Sequence, residues 1–298
     1  MHISTHKPKH KQKRIAGVAA TGVAAVAVAG LALYGTGVAT AGQPTAGQNS
    51  AAAQASAGKD VKEPQNIGLL VQQIDAYYGA TPDADGVYQA SPTSPYAKDL
   101  ARIEADAKKY IDRAAQQAKN GKGGQGGQHG KQVKPAVVFD IDDTLLLSFD
   151  YERKTNYTYN SATWAEYVAK ADRPAVFGTP DLVKYAKSKG VEVFYNSGLT
   201  EAQRSAAVTN LKKVGADINL DAGHMFLKDA ANPPAYLKDC ATAGAWKCTT
   251  VQYKSGTRKH IESLGYDIIA NFGDQQSDLD GGYANKTFKI PNPTYFVG

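Results

Sequence analysis

Three observations predict an α/β fold. From Pro135 onward, apolar runs of strand length alternate with segments of helical spacing, the pattern of a mainly parallel sheet with helices on both faces. Those runs finish in acidic or small polar residues, as strands do when their carboxyl ends open onto a ligand crevice. Two helical stretches precede them. The expected architecture is Rossmann-like, with N-terminal helices ahead of the sheet and a small cap insertion after the first strand.

The elements follow in order. Lys7, Lys9, Lys11, Lys13 and Arg14 form a basic head, and no acidic residue occurs before Asp60. An uncharged stretch rich in Ala, Gly and Val runs from Ile15 to about Val38, and "VATAG" offers the small residues Ala39 and Ala41. Together these read as a Sec-type secretory signal over residues 1–41. An uncleaved membrane anchor is the rival, because the apolar stretch is long. No Cys stands there for a lipid anchor, and no Arg-Arg pair marks the twin-Arg route. The formal charge is +6, but without the head 29 basic residues face 28 acidic ones. A nucleic-acid surface is therefore not indicated. The expectation is a secreted protein that meets the membrane only if the signal stays uncleaved. Residues 42–65, rich in Gly, Ala, Gln and Ser, read as a flexible linker, leaving 66–298 as one domain.

Leu69, Leu70, Ile74 and Tyr77 recur at helical spacing over 66–78. A second helix starts at Ser94-Pro95, with Ser as N-cap and Pro at the first position, and carries the stripe Leu100, Ile103, Ala107 and Ile111. It stops before "NGKGGQGGQHGK" (120–131). That Gly-rich run lacks the G-x-x-x-x-G-K-[ST] spacing and follows no strand, so it reads as a surface loop.

"AVVFD" (136–140) is the first strand. Residues 147–180 are long for a crossover and rich in aromatics, among them Tyr157, Tyr159 and Trp164, and read as an insertion covering part of one end of the sheet. The helix "DLVKYAKSKG" stops at Gly190 and leads to the strand "VEVFYNS" (191–197). Thr200 and Gln203 form a capping-box pattern for a helix to Lys213. "HMFLK" (224–228), the helix 255–265, "YDIIANFGD" (266–274) and "KTFKIPNP" (286–293) complete the set. Cys240 and Cys248 are close enough to form a disulfide in an exported protein, with two reduced thiols as the alternative. The six histidines share no ligand spacing.

In an open α/β sheet the polar residues at carboxyl strand ends converge on one edge. Here these are Asp140, Asp142 and Thr144, then Asn196 and Ser197, then Asp274 and Asp278, with Lys254 just before the helix that leads to the strand 266–274. Carboxylates are hard ligands, and Mg²⁺ takes one or two of them together with substrate phosphate. A hydroxyl and an ammonium can hold phosphoryl oxygens, and a carboxylate can serve as nucleophile.

"DIDDT", "NSG", "YKS" and "GDQQSD" occur in that order. They resemble the four motifs of haloacid dehalogenase-like (HAD) phosphatases. With the signal segment and the preceding helices, the chain is similar to the subfamily IIIB acid phosphatases, a branch that also includes plant vegetative storage proteins. The resemblance implies a Mg²⁺-dependent hydrolase of small-molecule phosphomonoesters acting through an aspartyl-phosphate. Asp140 would be the nucleophile and Asp142 the general acid and base. Ser197 and Lys254 would hold the phosphoryl group, and Thr144 would brace the first loop beside them. Asp140, the Asp142 main-chain carbonyl and Asp274 would bind Mg²⁺, with Asp278 direct or through water. Asp143, at the variable position of the motif, reads as a surface or helix-start carboxylate. Many relatives have Gly-Arg after the second-motif hydroxyl, whereas this chain has Gly198-Leu199, with Arg204 one turn on. Two alternatives stand beside this reading. A storage or binding protein on the same fold would be expected to lose the nucleophile, and a dehalogenase would not need Asp142. Substrates specific to nucleotides or sugar phosphates remain open.

Overall fold

The computed structural model describes residues 63–120 and 133–298. Residues 1–41, read above as a signal, nearly all of 42–65, read as a linker, and the Gly-rich run from residue 121 lie outside the described residues. In chain order the elements are α1 (Ile67–Tyr78), β1 (Thr81–Pro82), β2 (Tyr88–Gln89), α2 (Pro95–Lys119), β3 (Lys134–Phe139), α3 (Phe149–Lys154), α4 (Ser161–Ala169), α5 (Thr179–Ser188), β4 (Glu192–Thr200), α6 (Arg204–Lys213), β5 (Met225–Lys228), β6 (Ala241–Thr242), β7 (Ala245–Trp246), α7 (Thr250–Ser263), β8 (Tyr266–Gly273), α8 (Gln276–Leu279) and β9 (Thr287–Lys289). Among the described residues no helix is long and apolar enough to cross a membrane.

The central sheet has the order β5-β4-β3-β8-β9, and every pairing in it is parallel. The chain builds outward from β3 through β4 to β5, then returns to the other side of β3 with β8 and β9. That reversal opens a crevice at the carboxyl ends of β3, β4 and β8. β3 is apolar on both faces because helices cover both. Val137 and Phe139 join one core with Ala107 and Ile111 of α2, while Ala136 and Val138 join another with Phe194 and Ile261. Alternation along a strand sends neighbours to opposite faces, so a sheet covered twice needs an unbroken apolar run.

Local signals account for most boundaries. Asn66 caps α1 by accepting from the Gly68 and Leu69 amides, and Ser94 caps α2 by accepting from Ala97 N. The Thr200–Gln203 capping box is present, followed by one 3₁₀ turn before α6. Two readings need correction. In α1 the buried residues are Ile74 and Tyr78, whereas Leu69 and Leu70 face outward. α7 starts at Thr250, not at Ser255. Thr249 Oγ1 accepts from Gln252 N at 3.1 Å and Gln252 Oε1 accepts from Thr249 N at 2.9 Å, a complete capping box five residues earlier. Ser255-Gly256 looks like a helix start, but the helix runs through it. A Cβ on Gly256 would come within 2.8 Å of Leu237 Cδ2, so the glycine serves close packing. Cys240 and Cys248 are joined in a disulfide that frames the β6–β7 hairpin.

Candidate active site

The strand ends deliver the site. Asp140 follows β3 directly, and its amide donates to Phe272 O of β8, so the two strands hold the first loop between them. Asp274 follows β8, and Asp278 sits in α8, where its Oδ2 accepts from Gln275 N at 3.0 Å. A Cβ on Gly273 would collide with the Asp278 side chain, so only glycine lets α8 fold back this tightly. Asp140, Asp274 and Asp278 are all buried, and each offers one carboxylate oxygen within 4.8 Å of the others. The Asp142 side chain is not part of that group.

Lys254 reaches this cluster from the second turn of α7. Its Nζ lies 2.5 Å from Asp140 Oδ1 and 2.8 Å from Asp278 Oδ1, and it also donates to Asn196 O in the middle of β4. Asn196 Nδ2 returns a bond to Lys254 O at 3.0 Å, which fixes α7 against β4. Burial pulls the ammonium down, but Asp140 and Asp278 outweigh it and hold Lys254 above its ordinary range. Burial drives Asp140 well above the usual carboxylate range against the pull of Lys254, and Asp278, Asp274 and Asp142 push the same way. Burial, then Asp278 and Asp143, raise Asp274 to about 7. Three buried carboxylates against one ammonium leave a formal deficit of two positive charges. Hard oxygen donors with that deficit fit a divalent cation such as Mg²⁺.

Asp142 is held differently. Arg173 Nη1 lies 2.5 Å from Asp142 Oδ1, and Ser197 Oγ donates to Oδ2 at 3.2 Å. Arg173 belongs to the segment between α4 and α5 and is buried. Its Nε and Nη2 have no acceptor among the described residues. Asn210 of α6 fixes its backbone by accepting from Arg173 N and donating to Arg173 O. Sequence reasoning missed Arg173. No signal singled it out, since Arg153, Lys154 and Lys170 are basic residues of the same insertion. Ser197, expected on the phosphoryl group, is fully buried, and its hydroxyl is engaged with Asp142. Thr144 is also fully buried, with its Oγ1 3.5 Å from Asp274 Oδ1, so it backs the carboxylate cluster.

Asp143 is not a surface carboxylate. It is 1% exposed and adopts a left-handed backbone with φ 52°. It accepts from Ser148 N at 2.8 Å, from Ser148 Oγ and from Tyr295 Oη at 3.0 Å. These bonds tie the motif loop to the C-terminal segment. Burial raises Asp143 to about 6 against those donors. Arg204 does not stand in for the missing motif arginine. It pairs with Glu201 and donates to Met225 O at 2.9 Å.

A cavity of about 440 Å³ opens onto the cluster. Asp140, Asp142, Lys254, Asp274 and Asp278 line it, and the insertion adds Glu152, Tyr157, Tyr159 and Trp164. Lys228, at the end of β5, lines it too. Its ammonium has no hydrogen-bond or ion-pair partner among the described residues, and burial followed by Lys254 pulls it below the ordinary range. No motif flagged it, since a lysine ending a short strand is common. Buried carboxylates beside available ammonium groups can bind a metal and a phosphate together.

The model for the HAD superfamily, subfamily IIIB (acid phosphatase), matches residues 86–298. The chain belongs to that family. This subfamily IIIB chain is 33% identical over 169 residues to the stem 28 kDa glycoprotein of Glycine max, covering 55% of the chain and 61% of the relative. It is 32% identical to vegetative storage protein 1 of Arabidopsis thaliana (54% of each) and 28% identical to acid phosphatase 1 of Solanum lycopersicum (54% and 58%). It thus spans roughly half to three fifths of the length of these curated relatives. Among solved structures, the class C acid phosphatase from Bacillus anthracis matches at 25% identity with a TM-score of 0.47, over 66% of this chain and 80% of that one.

Proposed function

We propose that this HAD chain is an exported acid phosphatase that hydrolyses small phosphomonoesters through an aspartyl-phosphate on Asp140 and requires Mg²⁺. The observation that carries the reading is Lys254 placed between Asp140 and Asp278 on the wall of a cavity shared with Asp274. Asp140, Asp274 and Asp278 would hold the Mg²⁺, which supplies charge screening between the nucleophile and the anionic ester and polarises phosphoryl oxygens.

The residues then divide the work. Lys254 and Lys228 neutralise the arriving dianion. A carboxylate oxygen of Asp140 attacks phosphorus as the ester P–O bond breaks, and Asp142 gives its proton to the departing alkoxide, so the alcohol leaves neutral. Water next attacks the phosphorus of the aspartyl-phosphate. Asp142 takes the water's proton, the bond to Asp140 breaks, and inorganic phosphate is released with both carboxyl groups restored. Arg173 and Ser197 keep Asp142 aimed through both steps. Asp142, ion-paired to Arg173, must take up a proton before the first step, which favours work below neutral pH. A pH–rate profile peaking well above 7 would remove the acid label and leave the mechanism standing.

The signal reading of residues 1–41 and the Cys240–Cys248 disulfide both support an oxidising, extracellular setting. Relatives with storage-protein names keep a non-enzymatic role as the alternative. Asp140→Asn separates the two. The enzyme reading expects p-nitrophenyl phosphate turnover in the wild type and its loss in the variant, with circular dichroism unchanged. No turnover by the wild type with Mg²⁺ present favours storage.

A further inference from the structure

Glu152 stands out among the cavity residues. It is 6% exposed, yet among the described residues its carboxylate accepts no hydrogen bond and joins no ion pair. Neighbouring cations are committed elsewhere. Arg153 pairs with Asp75 and stacks over Tyr88, and Arg173 pairs with Asp142. The charges that act on Glu152 are Asp143 and Asp150, both of its own sign. A buried carboxylate without a partner is costly, so a group that brings a positive charge to it is strongly favoured.

The local fold also places aromatic side chains on the same cavity. Asn156 and Tyr157 both have a left-handed backbone, with φ 51° and 56°, an uncommon conformation for two consecutive non-glycine residues. The Tyr157 amide donates to Glu152 O at 2.8 Å, which closes the end of α3 and ties the tyrosine to the glutamate. Tyr157 Oη is buried and unpartnered among the described residues. Tyr159 lines the cavity as well, and so does Trp164, whose ring already carries the Arg173 guanidinium 5.5 Å from its centroid. A carboxylate combined with aromatic faces is the chemistry that recognises an ammonium group.

We infer that Glu152, with Tyr157 and Tyr159, forms a leaving-group subsite for a cationic amine, so that preferred substrates are phosphomonoesters of amino alcohols. The inference rests on the phosphatase reading for the phosphoryl half of the cavity. Lys254 and Lys228 attract the phosphate while Glu152 attracts the ammonium, and the substrate is oriented by opposite charges at its two ends.

The test compares phosphocholine with glycerol phosphate at pH 7.5 in the presence of Mg²⁺. Wild type should favour phosphocholine, and Glu152→Gln should lower the ratio of the two kcat/KM values about 10–100-fold. Calorimetry of choline against its neutral isostere 3,3-dimethyl-1-butanol on the wild-type protein needs neither turnover nor the variant, and choline should bind at least about 10-fold tighter. Equal binding of choline and the isostere, or a ratio unmoved by Glu152→Gln, would overturn the subsite. Failure of the phosphatase reading looks different: no phosphate release from any ester, with choline still bound.

Discussion

Replacing Arg173 with Met removes a buried guanidinium while keeping much of its stem volume. The Arg173–Asp142 pair is 2.5 Å long, with side-chain exposures of 1% and 16%. Breaking one side of a buried pair costs about 3–5 kcal/mol because the other charge is left behind. Asp142 keeps some solvent access and the Ser197 hydrogen bond, so the lower end, about 3 kcal/mol, applies. For a domain of this size that is a fall in Tm of roughly 6–12 °C. Activity should fall for a separate reason. General acid catalysis contributes about 10²–10⁴-fold, and a carboxyl group free to swing forfeits much of it. An alkyl alcohol needs that proton to leave, whereas p-nitrophenolate does not. Arg173→Met should therefore lower kcat about 100-fold with glycerol phosphate and about 10-fold or less with p-nitrophenyl phosphate, with KM nearly constant. Steady-state kinetics on both esters, beside thermal denaturation, checks this. Equal losses on the two esters, or a lowered Tm with kcat intact, would show that Arg173 supports the fold and does not position the proton donor.

Other outcomes follow from the same geometry. Saturating Mg²⁺ should raise the wild-type Tm, by the equivalent of about 3 kcal/mol at a hundred times Kd, and Asp274→Asn should lose that gain; a variant that keeps it places the cation elsewhere. Burial, then Asp143 and Asp150, raise Glu152 from 4.5 to about 7, so ionising it inside the fold costs stability that is intact below about pH 4.5 and lost as pH rises through 7. Glu152→Gln removes that loss, and its advantage over wild type in denaturant titrations should grow to about 1–3 kcal/mol between pH 4.5 and 8, where a flat difference would refute the assignment. Replacing Cys240 and Cys248 with Ser opens a loop of eight-residue separation and should cost about 2.5 kcal/mol, with the site's kinetics near wild type.

Much of the fold was legible in the sequence because its causes are local. The unbroken apolar run of β3, the Ser94-Pro95 start of α2 and the Thr200–Gln203 box each declare themselves within a few residues. Where local signals competed, the stronger chemistry won. The Thr249–Gln252 box set the start of α7, and the more conspicuous Ser255-Gly256 did not. Asp140 and Asp274 were legible as well, since strand ends in a parallel sheet converge by topology alone, whereas Lys254 in α7 and Asp278 in α8 were legible through the ordered motifs.

The sequence by itself determined an α/β sheet and the carboxylates its strand ends carry. The tertiary structure decided what surrounds each of them. Asp143 reads as a surface acid until Tyr295, 152 residues later, closes over it. Asp142 is oriented by Arg173, 31 residues away across the insertion. Glu152 and Lys228 matter because, among the described residues, the side chain of each lacks a partner in one shared cavity. Burial and pairing are properties of distant segments packed together. A residue's neighbours along the chain carry no record of them, so reactivity and selectivity at this site emerge only with the folded molecule.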